Sequence, residues 1–213
     1  MWTKRQAMLR VAIALLVVPS VAMAQDVSGE GDEFVVAVDH GTKTITGYYS
    51  SGTGQDASSQ GPQFSCIFYL RGKADGKPPY RITTWFPADR SEAIDGTLEF
   101  SGKSSGHTVT IKLKEEHGGC WNVQQFATKD GATLQLDRTG SWSAIRIAAA
   151  KKTRFHASAS TGQTLRNYVT TGDALKVSST QPGWVQAAFT NADRKSTQGW
   201  VREADLYPSS RAP

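Results

Sequence analysis

The sequence predicts an all-β fold, and three observations predict it. Apolar and polar residues alternate with period 2 in short runs after residue 25, helical periodicity is almost absent there, and glycine- and proline-rich turns punctuate the runs. The clearest run is 107–114, in which Val109, Ile111 and Leu113 share one face and polar residues the other, the pattern of a half-buried antiparallel strand. In 64–70 the same reading places Phe64, Cys66, Phe68 and Leu70 together, with Cys66 facing a core. Further strands are predicted over 34–38, 43–49, 80–86, 97–101, 133–136 and 141–148. Gly52-Thr53-Gly54, Asp75-Gly76-Lys77-Pro78-Pro79, Asp95-Gly96 and Asp130-Gly131 are read as the turns between them, and Asp39-His40 as a hairpin loop. Such spacing fits an antiparallel β sandwich or a small barrel, and the pattern alone does not separate the two.

Ahead of these strands the chain carries Lys4, Arg5 and Arg10, the apolar run 11–18, and the small-x-small triplet Ala22-Met23-Ala24. That order reads as a secretory signal peptide, 1–24, cut before Gln25. The run is well short of the roughly 20 apolar residues of a spanning helix, so no stable membrane insertion of the mature chain is expected. The expected location is periplasmic or extracellular, and oxidising. There the two cysteines, Cys66 and Cys120, are expected to form one disulfide. Closing that loop stabilises the fold by about 4 kcal/mol in the chain-entropy treatment.

The leader holds three of the 24 basic residues and none of the 19 acidic ones, which leaves 21 against 19, a net charge of +2. The basic pI therefore gives no reason to expect nucleic acid. Residues 25–148 hold 12 basic and 15 acidic side chains, and residues 149–213 hold 9 and 4. The expectation is that the second part is the cationic half and favours an anionic partner.

A boundary is predicted at Ala148-Ala149-Ala150, separating a disulfide-bonded β domain (25–148) from a second unit (149–208) and a short tail (209–213). In the second unit, strands are predicted over 153–156, 165–169, 174–178, 184–189 and 199–201. The stretch Gly172-Asp173-Ala174-Leu175-Lys176-Val177, then Gly183-Trp184-Val185-Gln186-Ala187, then Gly199-Trp200-Val201-Arg202 with Asp205-Leu206, resembles a bacterial SH3-like (SH3b) domain. The segment 153–160 departs from that family's usual opening. The resemblance implies a five-stranded SH3-like barrel that binds peptides, glycans or neighbouring domains and performs no chemistry of its own.

The densest functional stretch is Glu115-Glu116-His117-Gly118-Gly119-Cys120-Trp121-Asn122. A cysteine beside a histidine can be an activated nucleophile, so a cysteine hydrolase using Cys120 and His117 is one reading. The disulfide competes with it, and Gly118-Gly119 then serve as a tight turn aiming Cys120 inward. His40, His107, His117 and His156 lack the close spacing of zinc ligands, so no metal and no cofactor are expected. The loop after Gly47-Tyr48-Tyr49 lacks the lysine and helix of a phosphate-binding loop. Alternation leaves Trp85 on the face opposite Tyr80, Ile82 and Phe86, either exposed to a partner or buried between layers. The candidate binding residues are Trp85, Trp121, Trp184, Trp200, Tyr168, Glu116 and His117.

The expected function is a non-catalytic exported binding protein, its SH3b-like module recognising cell-wall peptide or glycan or a periplasmic protein. The competing expectations are a periplasmic inhibitor or immunity protein against a wall-degrading enzyme, and the cysteine hydrolase.

Overall fold

In the computed structural model the described residues are 26–54, 61–103 and 106–209. The predicted signal peptide, its cleavage site and residues 210–213 of the predicted tail lie outside them. The protein is all-β, as predicted.

The first sheet contains β1 (Ser28–Glu30), β2 (Phe34–Asp39), β3 (Thr44–Thr53), β4 (Phe64–Lys73), β5 (Tyr80–Phe86), β6 (Asp89–Lys103), β7 (Gly106–Leu113), β8 (Ala132–Leu136) and β9 (Arg138–Gly140). Its order is β8-β7-β6-β5-β4-β3-β2-β1-β9, antiparallel throughout. Only Asp137 separates β8 from β9. One run of chain therefore pairs with β7, bends, and pairs with β1, which brings the two ends of the sheet together in a nearly closed barrel. Backbones crowd at this seam, where a Cβ on Gly31 would sit 2.2 Å from the Gln135 carbonyl oxygen. Of the two architectures left open by the sequence, the barrel is the one formed.

Alternation fills the interior. Phe34, Val36 and Val38, then Ile45 and Tyr49, then Cys66, Phe68 and Leu70, and finally Val109, Ile111 and Leu113 point inward and are buried. The Asp95-Gly96 pair, predicted as a turn, lies inside the long strand β6. A Cβ on Gly96 would be 2.4 Å from the Lys112 carbonyl oxygen, so glycine serves close strand approach there. The real hairpin turn lies at Pro87-Ala88, between Phe86 and Asp89, which are paired.

The second sheet contains β10 (Ala144–Ile147), β11 (Thr153–His156), β12 (Thr164–Val169), β13 (Ala174–Gln181), β14 (Trp184–Thr190) and β15 (Ser196–Arg202), in the order β10-β13-β14-β15-β11-β12. It has six strands, one more than expected, because β10 pairs with β13 and not with the first sheet. The change of sheet thus falls between Gly140 and Ala144, upstream of the predicted boundary at 148. Phe155, Val169, Leu175, Val177, Val185, Ala187 and Val201 form this unit's own core.

A third cluster joins the two. Ala37, Tyr69 and Trp85 on the outside of the barrel meet Ile145 and Ile147 of β10. Several polar groups there are paired: the Tyr69 hydroxyl donates to the Ile145 carbonyl (3.0 Å), the Ile145 N–H to Thr46 Oγ1 (2.8 Å), and Trp142 Nε1 to the Val36 carbonyl (2.8 Å). Lys176 Nζ reaches across to Glu30 at 2.6 Å and also donates to Thr190 Oγ1.

Candidate functional site

The segment 114–131, between β7 and β8, folds over one end of the barrel and closes it. Phe126 enters the core edge-on to Tyr49 (4.9 Å) and Phe68 (5.0 Å). His117 is buried, with its ring stacked on Phe68 at 5.3 Å and its Nε2 2.7 Å from Thr84 Oγ1. The Thr84 hydroxyl spends its one proton on the Ile94 carbonyl (3.0 Å), so His117 Nε2 carries the proton and donates to Thr84. Burial holds the His117 pKa below the ordinary histidine value, which keeps the ring neutral.

Cys120 is bonded to Cys66, and the described residues contain no free cysteine. The nucleophile reading of Cys120 and His117 is therefore corrected: the sulfur is not a thiol, and the imidazole is committed to Thr84. The glycines work as expected of a turn. Gly119 has φ +87°, and a Cβ on it would lie 2.2 Å from the Ser65 carbonyl oxygen, so this close, left-handed approach admits only glycine. Beyond it the 3-10 turn Cys120–Asn122 is fixed at several points. The Cys120 N–H donates to the His117 carbonyl (3.1 Å), Thr53 Oγ1 donates to the Asn122 carbonyl (2.9 Å), and the Val123 N–H donates to the Cys120 carbonyl (2.9 Å). Glu116 Oε1 accepts from the Ala127 N–H at 2.6 Å, while its Oε2 is buried without a partner.

Out of this fixed turn projects Trp121, 63% exposed. Phe64, next to the Ser65 that abuts Gly119, is itself 37% exposed. The rim of the barrel thus presents aromatic surface on backbone that is already ordered.

The remaining candidates do not join this site. Trp85 is corrected: it is only 2% exposed, tilted against Tyr69 at 5.1 Å in the layer between the two sheets, because the face opposite the barrel interior is covered there by β10. Trp184 and Trp200 are half-buried on neighbouring strands β14 and β15. Trp184 meets His156 edge-on at 4.9 Å, with the Arg202 guanidinium 5.9 Å over its ring. Tyr168, on β12, is 48% exposed, with Lys152 Nζ 4.0 Å above its ring. His156 is also held below the ordinary histidine pKa, by burial first and the Arg202 charge second.

Sequence reasoning missed a groove of about 1210 Å³ on the outside of β4–β7, lined by Arg71, Lys73, Arg81, Lys112, Lys114 and Lys129. Counting signs along the chain makes 149–213 the cationic half and does not register cations that meet across strands. The usable signal was the i, i+2 spacing of Arg71 with Lys73 and of Lys112 with Lys114, which puts each pair on one face of its strand.

No helix among the described residues is long and apolar enough to cross a membrane. Comparison with protein-family models, with curated proteins and with solved structures gives no match. Fold and site together define an all-β, disulfide-bonded protein with a plugged, nearly closed barrel and a rigid aromatic rim.

Proposed function

We propose that this is an exported, non-catalytic binding protein whose principal contact is the barrel rim around Trp121, and whose partner there is a protein. The observation that carries the reading is Trp121 itself, 63% exposed on a turn tied down by the Cys66–Cys120 disulfide. Exposed large aromatics on pre-ordered backbone are what binding hot spots are made of, since little conformational entropy is left to lose on association. The disulfide and the leader-like N-terminus support export. The SH3b-like sequence blocks of 149–208 support a second contact, with cell-wall peptide or glycan, through the face that carries Trp184, Trp200 and Tyr168.

The test is capture from periplasmic extract and on purified peptidoglycan by the mature protein, compared with Trp121→Ala and Trp200→Ala. Trp121→Ala is expected to weaken capture of the protein partner by about 2 kcal/mol or more, some thirtyfold. Trp200→Ala is expected to act on peptidoglycan binding. Equal capture by all three proteins would overturn the reading.

A second reading, inhibition of a wall-degrading enzyme, is favoured by one feature: a disulfide-locked loop that projects an aromatic residue has the form of a wedge for an enzyme cleft. Retarded lysis of isolated wall by a lysozyme-like or amidase activity, lost in Trp121→Ala, is its expected signature; unretarded lysis in both assays would exclude it.

A further inference from the structure

The groove on the outer face of β4–β7 is separate from the rim and carries its own argument. In its two cross-strand rows, register partners are Arg81, Thr97 and Lys112 in one, and Arg71, Thr83 and Asp95 in the other. Arg81 and Lys112 are two strand spacings apart, about 10 Å. What holds the cations matters more than their number. Arg71 donates to the Ser209 carbonyl (2.9 Å), Lys73 to the Thr42 carbonyl (3.0 Å) and Thr44 Oγ1 (3.2 Å), and Lys112 to the Lys129 carbonyl (2.6 Å). These acceptors are neutral, so they fix the position of each cation without cancelling its charge. Lys114 meets a carboxylate, Asp95 at 3.1 Å, in an exposed pair whose carboxylate also accepts from Thr83.

We infer that this groove binds an anionic glycan, with Arg71 and Lys112, each held by a neutral acceptor, and the exposed Arg81 between them on its acid groups. The lining contains no aromatic side chain on which nucleic-acid bases would stack. It does contain Thr83, Thr97 and Thr128, and the acceptor Asp75, which suit the hydroxyl groups of a sugar chain. Recognition of carboxylate or phosphate by fixed guanidinium and ammonium groups uses charge-assisted hydrogen bonds, the stronger kind.

The test is binding of the mature protein at low ionic strength to polygalacturonate, a carboxylate glycan, and to a phosphate-bearing glycan, with neutral dextran, poly-glutamate and a single-stranded oligonucleotide as competitors. Binding to at least one acidic glycan is expected, weakening steeply with salt. Arg81→Gln/Lys112→Gln is expected to weaken it about tenfold or more, with an unchanged unfolding midpoint. Lys151→Gln/Arg154→Gln removes the same charge from exposed positions of the second unit. Retained binding in that control, and in Trp121→Ala, separates this site from overall charge and from the rim. Equal weakening by both double variants, no binding to either acidic glycan, or preference for poly-glutamate or the oligonucleotide would each overturn the inference.

Discussion

Burial of His117 against Phe68 and Thr84 couples this one residue to the pH dependence of stability. An unfolded histidine titrates near about 6.5, and the folded ring titrates below its ordinary value because burial disfavours the charged form. Between those two values the unfolded chain binds more protons, so its stability is fully present above about pH 6.5 and falls as the pH drops toward the folded value. His156 shifts in the same direction. The urea midpoint of the wild type is therefore expected to decline from pH 7.5 to 5.5, less steeply in His117→Gln, and least in His117→Gln/His156→Gln. A wild-type slope retained in His117→Gln would show that the ring is not the titrating group. Gly119 makes a second prediction at this scale: alanine there combines the φ of +87° with a Cβ driven onto the Ser65 carbonyl. Gly119→Ala is expected to cost about 1–3 kcal/mol, read from the same midpoints, with a larger loss than Gly118→Ala, whose Cβ would meet nothing within 4 Å.

The plug is an element whose order depends on one covalent tie, for Cys120 is its link to β4 and Trp121 follows directly. Cys66→Ala/Cys120→Ala is expected to lower stability by about 2–5 kcal/mol. Because Phe126 and His117 still fill the barrel mouth, the barrel should persist while the turn loosens. Amide exchange should then accelerate across 118–124 and stay slow in β7; uniform acceleration through the barrel would mean that the tie supports the whole sheet. Elements of this kind were partly legible. Strands such as β7 and β4 could be read because each buries alternate residues, and the Gly-Gly-Cys turn because glycine and a lone cysteine pair constrain geometry by themselves. β6 was under-read, since Gly96 looks like a turn residue in sequence and serves strand crossing in space. β1 and β9 are three residues each and contain glycine, too short to show a period. Barrel or sandwich was undecidable for the same reason: closure rests on the pairing of Gly29 with Thr139, a contact that no local pattern announces.

At the scale of the whole molecule the question is whether the two sheets unfold together. The second unit is small, and a domain of about sixty residues is marginal by itself. Its exposed flank is covered by the barrel through Trp85, Tyr69, Ile145 and Ile147, with Lys176 and Glu30 paired at the edge. The chain changes sheet ahead of the boundary read at 148: residues 141–148 alternate like any strand, and only the pairing with β13 assigns β10 to the second sheet. The same ambiguity hid Trp85, whose position on the outer face was read correctly while its covering came from a strand 60 residues later. Trp85→Ala removes the largest buried side chain of this layer and is expected to cost about 3–5 kcal/mol. The loss should fall on the coupling more than on the barrel interior, which Trp85 does not enter. Calorimetry of the wild type is then expected to give one transition, and that of Trp85→Ala two, the lower belonging to the β10–β15 sheet. Lys176→Met leaves Glu30 paired with Arg138 at 3.1 Å, so it should separate the two transitions less than Trp85→Ala does. A single transition in Trp85→Ala, shifted down as a whole, would instead show that hydrogen bonds such as Tyr69 to Ile145 suffice to keep the two sheets one cooperative unit.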